Sequence, residues 1–340
     1  MNSRIYLDHA ATTPLRPEAK AAMEEGFAIW ANPSSPHAEG RKARAALEDA
    51  RQRSKAALGW DGELIFTSGS SEALSIALNR TKMERRIVSA VEHDAVFRAA
   101  PDATVMPVEN GMAVLPADAS AAVVALQQVN SETGAMMLEL GDVYSRVSEG
   151  GALLLADCSQ GGGKHELPSC DMAVVSAHKL GGPVGIGALL VRDYGLLEPV
   201  GGHERGYRQG TENLPAAMGF AAALEQGSLE SWVTTREQRS AFAEKLSGSR
   251  LVTGQVHCDY ILSLYHETIS AQALLVRLDA MGFAVSAGSA CSSGTLKKSK
   301  VLDAFGVPDD VASRTIRVSL GWNTTPEELD AFADAWSSLT

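Results

Sequence analysis

The chain has little of what holds secreted or membrane proteins together. Only four cysteines occur in 340 residues, Cys158, Cys170, Cys258 and Cys291, with no Cys-x-x-Cys pair and no histidine at zinc-ligand spacing. Neither a disulfide framework nor a metal site is expected, and a reducing cytoplasm fits. Positive charge is also short: 30 basic residues face 41 acidic ones, for a formal charge of −11. No basic face is left over for a phosphate backbone, so nucleic acid is not an expected partner. No apolar run approaches the roughly 18 residues of a membrane span. The longest, Leu214 to Leu224, is Ala/Gly-rich, and the N-terminus carries Arg4 and Asp8 where a signal peptide needs an apolar core. What the chain does have is glycine, 31 residues against 13 prolines, many bunched between Gly150 and Gly210. That bunching suggests tight turns and backbone passing close to a ligand, because only glycine takes positive φ freely.

The pattern of elements predicts an α/β chain. Pro17 to Ala31 and His37 to Leu58 carry Ala and Leu at helical spacing, and Pro17 suits a first helical turn. Short runs rich in Val, Ile and Leu follow at Glu63–Thr67, Arg86–Ala90, Ala122–Gln127, Ala152–Ala156, Met172–Ser176 and Ile186–Val191. Such runs suit a sheet covered on both faces, and the helix-length spacers between them suit parallel crossovers. After about residue 232 the pattern changes to Asp259–Tyr265, a helix over Ser270–Met281, Phe283–Ser286, Thr315–Ser319 and a terminal helix from Pro326. The expected organisation is a large domain over 14–232 with a mostly parallel sheet, and a smaller α+β domain from 1–13 and 233–340. No internal repeat is present.

Three segments carry chemistry. One apolar strand ends in Asp157-Cys158-Ser159-Gln160 and the next in Ser176-Ala177-His178-Lys179, and ligands of open α/β sheets collect beyond strand C-termini. A strand-delivered lysine followed by Gly181, Gly182, Gly185 and Gly187 suits a desolvated amine able to form a Schiff base. Asp157 at the neighbouring strand end suits the partner of a pyridinium nitrogen, the pyridoxal-phosphate pattern. In the second segment, Thr67-Ser68-Gly69-Ser70-Ser71-Glu72 follows a strand and opens the stretch Ala73–Leu78. It reads equally as an anion site at a helix N-terminus or as an N-cap by Ser70 or Ser71. Gly161-Gly162-Gly163-Lys164 lacks the Ser/Thr of a nucleotide-binding phosphate loop, and Gly185-Ile186-Gly187-Ala188 lacks the third glycine of a dinucleotide fingerprint. The third segment, Ser286 to Gly294, surrounds Cys291 with small polar and glycine residues. That is the composition of an exposed loop and an accessible thiol nucleophile.

Together these residues resemble the cysteine desulfurases of pyridoxal-phosphate fold type I, the class V aminotransferase group. Matching blocks run from Tyr6-Leu-Asp-His-Ala-Ala-Thr-Thr13 through Asn32-Pro-Ser-Ser-Pro-His37, Phe66-Thr-Ser-Gly69, Glu92-His93 and Val129-Asn-Ser-Glu-Thr-Gly134. They continue through the two strand ends above, Gly201-Gly-His-Glu-Arg205, Arg208-Gln-Gly-Thr-Glu-Asn213, the Cys291 segment and Arg317-Val-Ser-Leu-Gly321. The resemblance implies pyridoxal 5'-phosphate bound through Lys179, with Asp157 on its ring nitrogen, Gln160 near its hydroxyl and His93 stacked on the ring. Ser70, Ser71, Ser176 and His178 would hold the phosphate, with Asn130 or Ser131 near the cofactor and Thr211 reaching in from the partner of a homodimer. Arg317 and Asn32 would bind the carboxylate of L-cysteine. Lys179 and His93 would move protons, and Cys291 would take the sulfur as a persulfide and pass it to an acceptor protein. Iron–sulfur cluster assembly or other sulfur trafficking would use it.

The chain departs from the family pattern at Ser70 to Ser75, where the usual Thr and Asn pair are missing, at Ser131 and at Trp322. It ends at Thr340 without the extension by which housekeeping relatives dock a scaffold. Two alternatives stand beside the desulfurase reading: another fold-type I enzyme, an aminotransferase or selenocysteine lyase, which would not need Cys291; and a cofactor-binding assembly partner with degraded activity.

Overall fold

The computed structural model describes residues 4–137, 143–287 and 299–339. The strands in chain order are β1 (Ile5–Tyr6), β2 (Glu63–Thr67), β3 (Arg85–Ser89), β4 (Thr104–Met106), β5 (Val108–Glu109), β6 (Met112–Ala113), β7 (Ala122–Gln127), β8 (Leu153–Asp157), β9 (Met172–Ser176), β10 (Gly187–Val191), β11 (Ile261–Tyr265), β12 (Phe283–Ala284) and β13 (Thr315–Ser319). Seven of them form one sheet in the order β2-β10-β9-β8-β7-β3-β4. Only β10 runs against the others.

The strand sequences dictate this burial. Side chains alternate across a sheet, and in β7 Ala122, Val124 and Leu126 join a core with helices Pro17–Ile29, Ala38–Ala57 and Leu214–Glu225. Val123 and Ala125 join the opposite core with helices Ser70–Asn79 and Asp94–Ala99. A strand apolar on both faces has one place to go, between two helical layers. The helix over Leu214–Glu225 explains the Ala/Gly-rich run: ten of its residues are buried. Small side chains let it lie against its two neighbours, and a Cβ on Gly26 would come within 2.6 Å of Pro215.

A further core gathers Leu7, Tyr260, Leu262, Leu264, Ile316, Val318, Phe332 and Trp336 around the β11-β13 pair. The N-terminal strand is stitched in here, with β1 parallel to β12. Alternation again decides direction: Ile316 and Val318 face this core, so Arg317 between them faces the other way. Because β2, β3, β7, β8 and β9 are parallel, Thr67, Ser89, Gln127, Asp157 and Ser176 all end on one edge of the large sheet. Antiparallel β10 begins at that edge with Gly187.

Candidate active site

A cavity of about 800 Å³ opens on that edge, lined by Gly69, His93, Asp157, Gln160, Lys179 and Arg317 among others. Lys179 ends a single 3₁₀ turn, Ala177–Lys179, that stops β9. Its Nζ donates to the carbonyl oxygens of Ala10 at 2.5 Å and Ala11 at 3.0 Å. Burial penalises the ammonium, and nearby Arg317 adds repulsion, against which Asp8 and Asp157 work only partly, so its pKa falls to about 8. The consequence is measurable. Capture of a small aldehyde by the Lys179 amine should slow about tenfold for each pH unit below 8 and level off above it, whereas an ordinary lysine would keep gaining rate to about pH 10. Mass spectrometry after borohydride reduction reads this directly.

Asp157 closes β8 and is nearly buried. Its Oδ1 accepts from the backbone N–H and the hydroxyl of Ser159, at 2.9 and 2.5 Å. The Ser159 hydroxyl in turn lies 2.6 Å from that of Ser70. This fixes one carboxylate oxygen and aims the carboxylate at the cavity. Gln160 Nε2 donates to the Ala10 carbonyl at 2.9 Å, and its Oε1 is buried without a partner. His93 caps the helix Asp94–Ala99, accepting through Nδ1 from Ala95 N at 3.1 Å. Its pKa is lowered, chiefly by burial, with Asp157 opposing and Lys179 assisting.

At the other end of the cavity the helix Ser70–Asn79 starts from Gly69, which sits at φ +148° and provides no side-chain cap. The N-cap role for Ser70 or Ser71 is therefore not what forms. The first N–H groups of this helix are left without a cap from its N-cap residue, beside the exposed Ser71, and that arrangement accepts an anion. Gly187 makes the close approach possible, since a Cβ there would meet the Gly69 Cα at 2.9 Å. Ser176 and His178 line the same space. The His178 ring nitrogen Nδ1 lies 3.2 Å from the Thr12 hydroxyl, and burial, with Lys179 and Lys164 adding to it, lowers its pKa to about 4.

Arg317 brings a guanidinium to the opposite wall. Nη2 donates to Asp8 Oδ1 at 2.8 Å and Nη1 to the Ser131 carbonyl at 2.9 Å, while Nε is buried and unpaired.

Several expected residues are elsewhere. Asn130 is a loop staple: its Oδ1 accepts from Glu132 N, Thr133 N and the Thr133 hydroxyl, and Nδ2 donates to the Val91 carbonyl. It does not line the cavity, and Ser131 does. Asn32 is exposed and accepts from Ser34 N at 2.8 Å, holding a turn outside the cavity. Ser70 lines the cavity but spends its hydroxyl on Ser159. Thr211 is exposed and is not among the lining residues of this chain. Cys291 lies outside the described residues.

The structure also brings in residues to which the sequence alone gave no role. Glu92 is buried beside Asp157, with Oε1 accepting from Gln127 N at 3.0 Å and Oε2 unpaired. Burial first, then Asp157, pushes its pKa well above the usual carboxylate range. The hydroxyl of Ser159, two residues after Asp157, was the readable signal, since a short polar side chain there folds back on an aspartate. The carbonyls of Ala10 and Ala11 left no signal at all.

Aminotransferase class-V is the family whose pattern matches, over residues 5–332. The chain belongs to that family. A cysteine desulfurase of Trichormus azollae is 34% identical over 96% of this chain and 90% of its own. Among solved structures, a NifS-like protein from Rickettsia africae superposes with a TM-score of 0.87 at 25% identity, covering 98% of both chains. SspA, solved in complex with cysteine, gives 0.78 at 26% identity over 94% of this chain and 100% of that one. Class-V enzymes of this group depend on pyridoxal phosphate, and the donor set here fits it: an amine of lowered basicity, a carboxylate with one oxygen free, and an uncapped helix N-terminus for a phosphate. Buried Gln160 Oε1, Glu92 Oε2 and Arg317 Nε border the same space without partners, as expected where a polar guest completes a site.

Proposed function

We propose that this chain is a pyridoxal-phosphate-dependent cysteine desulfurase that releases L-alanine from L-cysteine and leaves the sulfur as a persulfide on Cys291. The observation that carries it is the convergence of Lys179, Asp157 and the Gly69–Ser71 helix terminus on one cavity, in a chain that matches cysteine desulfurases along nearly its whole length. When bound, the cofactor supplies an electron sink for charge developing at the substrate Cα. Lys179 would hold it covalently, Asp157 would keep its ring nitrogen protonated, and Ser71, Ser176 and His178 would take its phosphate.

The chain's own residues then divide the work. Lys179 Nζ, its pKa brought down to about 8, takes up and returns a proton. His93, with its Nδ1 lone pair taken by the Ala95 N–H, carries its ring proton on Nε2 and presents it to the site as a donor. The Cys291 thiolate forms an S–S bond to the substrate sulfur as the substrate C–S bond breaks. The sulfane sulfur leaves later by exchange with an acceptor thiol. The wild-type chain loaded with cofactor should form equal amounts of alanine and, with a thiol reductant, sulfide; alanine formed without sulfide would refute the assignment.

Arg317 would bind the substrate carboxylate, but Asp8 already occupies Nη2. Removing that competing charge while keeping the shape, Asp8→Asn, should lower KM for cysteine about fivefold with kcat little changed, the worth of one partly exposed ion pair. Steady-state kinetics would show a raised KM if Asp8 instead orients the guanidinium.

We place the active form as a homodimer in which the loop bearing Thr211 completes the partner's phosphate site. Thr211 is exposed in the single chain, and Phe27 and Trp30 leave 62% and 78% of their surfaces uncovered, apolar area that a second copy would cover. Buried free thiols at Cys158, Cys170 and Cys258 suit a reducing cytoplasm. The acceptor is a protein thiol in iron–sulfur cluster assembly or another sulfur route.

A further inference from the structure

Lys164, the end of the glycine run that is no phosphate loop, has no part in the chemistry above. The run folds as a tight turn after Gln160. Gly162 N donates to the Cys158 carbonyl, and Lys164 N and His165 N both donate to the Gly161 carbonyl. A Cβ on Gly161 would lie 2.1 Å from Gln128 Oε1, and one on Gly162 would lie 2.8 Å from Val175. Only glycines let the turn press against the sheet this closely, and the turn carries Lys164 back beneath Gln160.

There Lys164 Nζ donates to the Gln160 carbonyl at 2.9 Å and sits 4.8 Å from the centre of the Tyr260 ring. The Tyr260 hydroxyl donates to the same carbonyl at 3.1 Å. Gln160 is thus held at its backbone by two donors, Lys164 from its own turn and Tyr260 from just before β11. Its side chain donates to the Ala10 carbonyl, the acceptor that Lys179 Nζ also uses. A chain of contacts joins Lys164 and Tyr260 to Gln160, Gln160 to Ala10, and Ala10 to Lys179. Partial removal from water lowers the Lys164 pKa to about 7, and it donates to the carbonyl in either protonation state.

We infer that Lys164 and Tyr260 are positioning residues that clamp the Gln160 carbonyl and so aim the Gln160 carboxamide at the bound cofactor. This rests on the cofactor site proposed above. It assigns a function to the Gly161–Lys164 run and to a tyrosine that touches neither substrate nor cofactor.

The test is a double-mutant cycle on cofactor affinity, measured by titrating cofactor-free protein with pyridoxal 5'-phosphate and following absorbance. Lys164→Met keeps the chain length and removes the donor, Tyr260→Phe removes one hydroxyl, and Gln160→Ala removes the aimed group. Lys164→Met should weaken binding about tenfold and the milder Tyr260→Phe about threefold, the range for one charged and one neutral buried hydrogen bond. In a Gln160→Ala background both should change affinity by less than about twofold, because residues acting through one partner are not additive. Equal losses with and without the Gln160 carboxamide would overturn the clamp and leave a general packing role. Wild-type affinity in Gln160→Ala alone would overturn it as well. Failure of the wild-type chain to be trapped on Lys179 by borohydride would instead remove the cofactor reading on which the clamp rests. If Lys164→Met does not fold, the Tyr260→Phe arm of the cycle decides alone.

Discussion

Lys179→Ala should lose cysteine turnover by about three to four orders of magnitude, the combined worth of a covalent attachment point and a proton carrier. Borohydride should leave no adduct on the protein. The thermal midpoint should nevertheless not fall. In the folded chain Lys179 is partly desolvated, with a pKa near 8, and its amine meets two backbone carbonyls and no carboxylate. Burying an ammonium in that setting costs stability, so trimming it to alanine removes a penalty together with two hydrogen bonds, and the two effects nearly offset. Catalytic loss with unchanged stability is the signature of a reacting group. A mutant that unfolds would show Lys179 to be part of the scaffold.

Glu204→Ala should do the reverse, destabilising the chain by about 3–5 kcal/mol, the cost of leaving one partner of a buried ion pair unmatched. Glu204 is 4% exposed and Arg51 3%. The two carboxylate oxygens accept from Arg51 Nη1 at 2.7 Å and Nη2 at 3.0 Å, and Oε2 also accepts from Phe66 N at 2.9 Å. Glu204 and its neighbour Arg205 hold left-handed backbone, with φ of 48° and 56°, which non-glycine residues adopt at a cost that the buried pair must offset. The pair pins one end of the loop that presents Thr211. Glu204→Ala should therefore shift the urea midpoint and weaken the dimer proposed above together, while replacing Arg51 and Glu204 both by apolar residues costs less than either single change. An unchanged midpoint would mean that the loop is held elsewhere.

Much of this was legible in the residues. Glu63–Thr67, Ala122–Gln127, Met172–Ser176 and Thr315–Ser319 form strands with the expected ends, because β-rich apolar runs bounded by polar residues have little freedom in register. The edge strand β4 and the β5-β6 hairpin were missed; at three and two residues they carry no period to read. In the site, Asp157, Lys179 and His93 stood out because they close or follow apolar runs, and a strand end is a position that sequence shows. Asn130 and Asn32 each hold a turn of their own, and an asparagine that ligates and one that staples its own turn have the same local sequence. The Ala10 and Ala11 carbonyls and the pairing of Asp8 with Arg317, 309 positions apart, come from the return of the N-terminal strand to the core around β11 and β13. Local pattern contains nothing of it.

The decisive measurement compares the wild-type chain with Cys291→Ala, both loaded with pyridoxal phosphate and given L-cysteine, counting alanine and protein-bound sulfane sulfur. The wild type should produce both, with the extra sulfur mass on the peptide bearing Cys291. The variant should keep the reducible adduct on Lys179 and lose alanine formation by at least about a hundredfold, as expected when a nucleophile is removed from an otherwise intact site. Alanine formed by Cys291→Ala at the wild-type rate would contradict the desulfurase assignment.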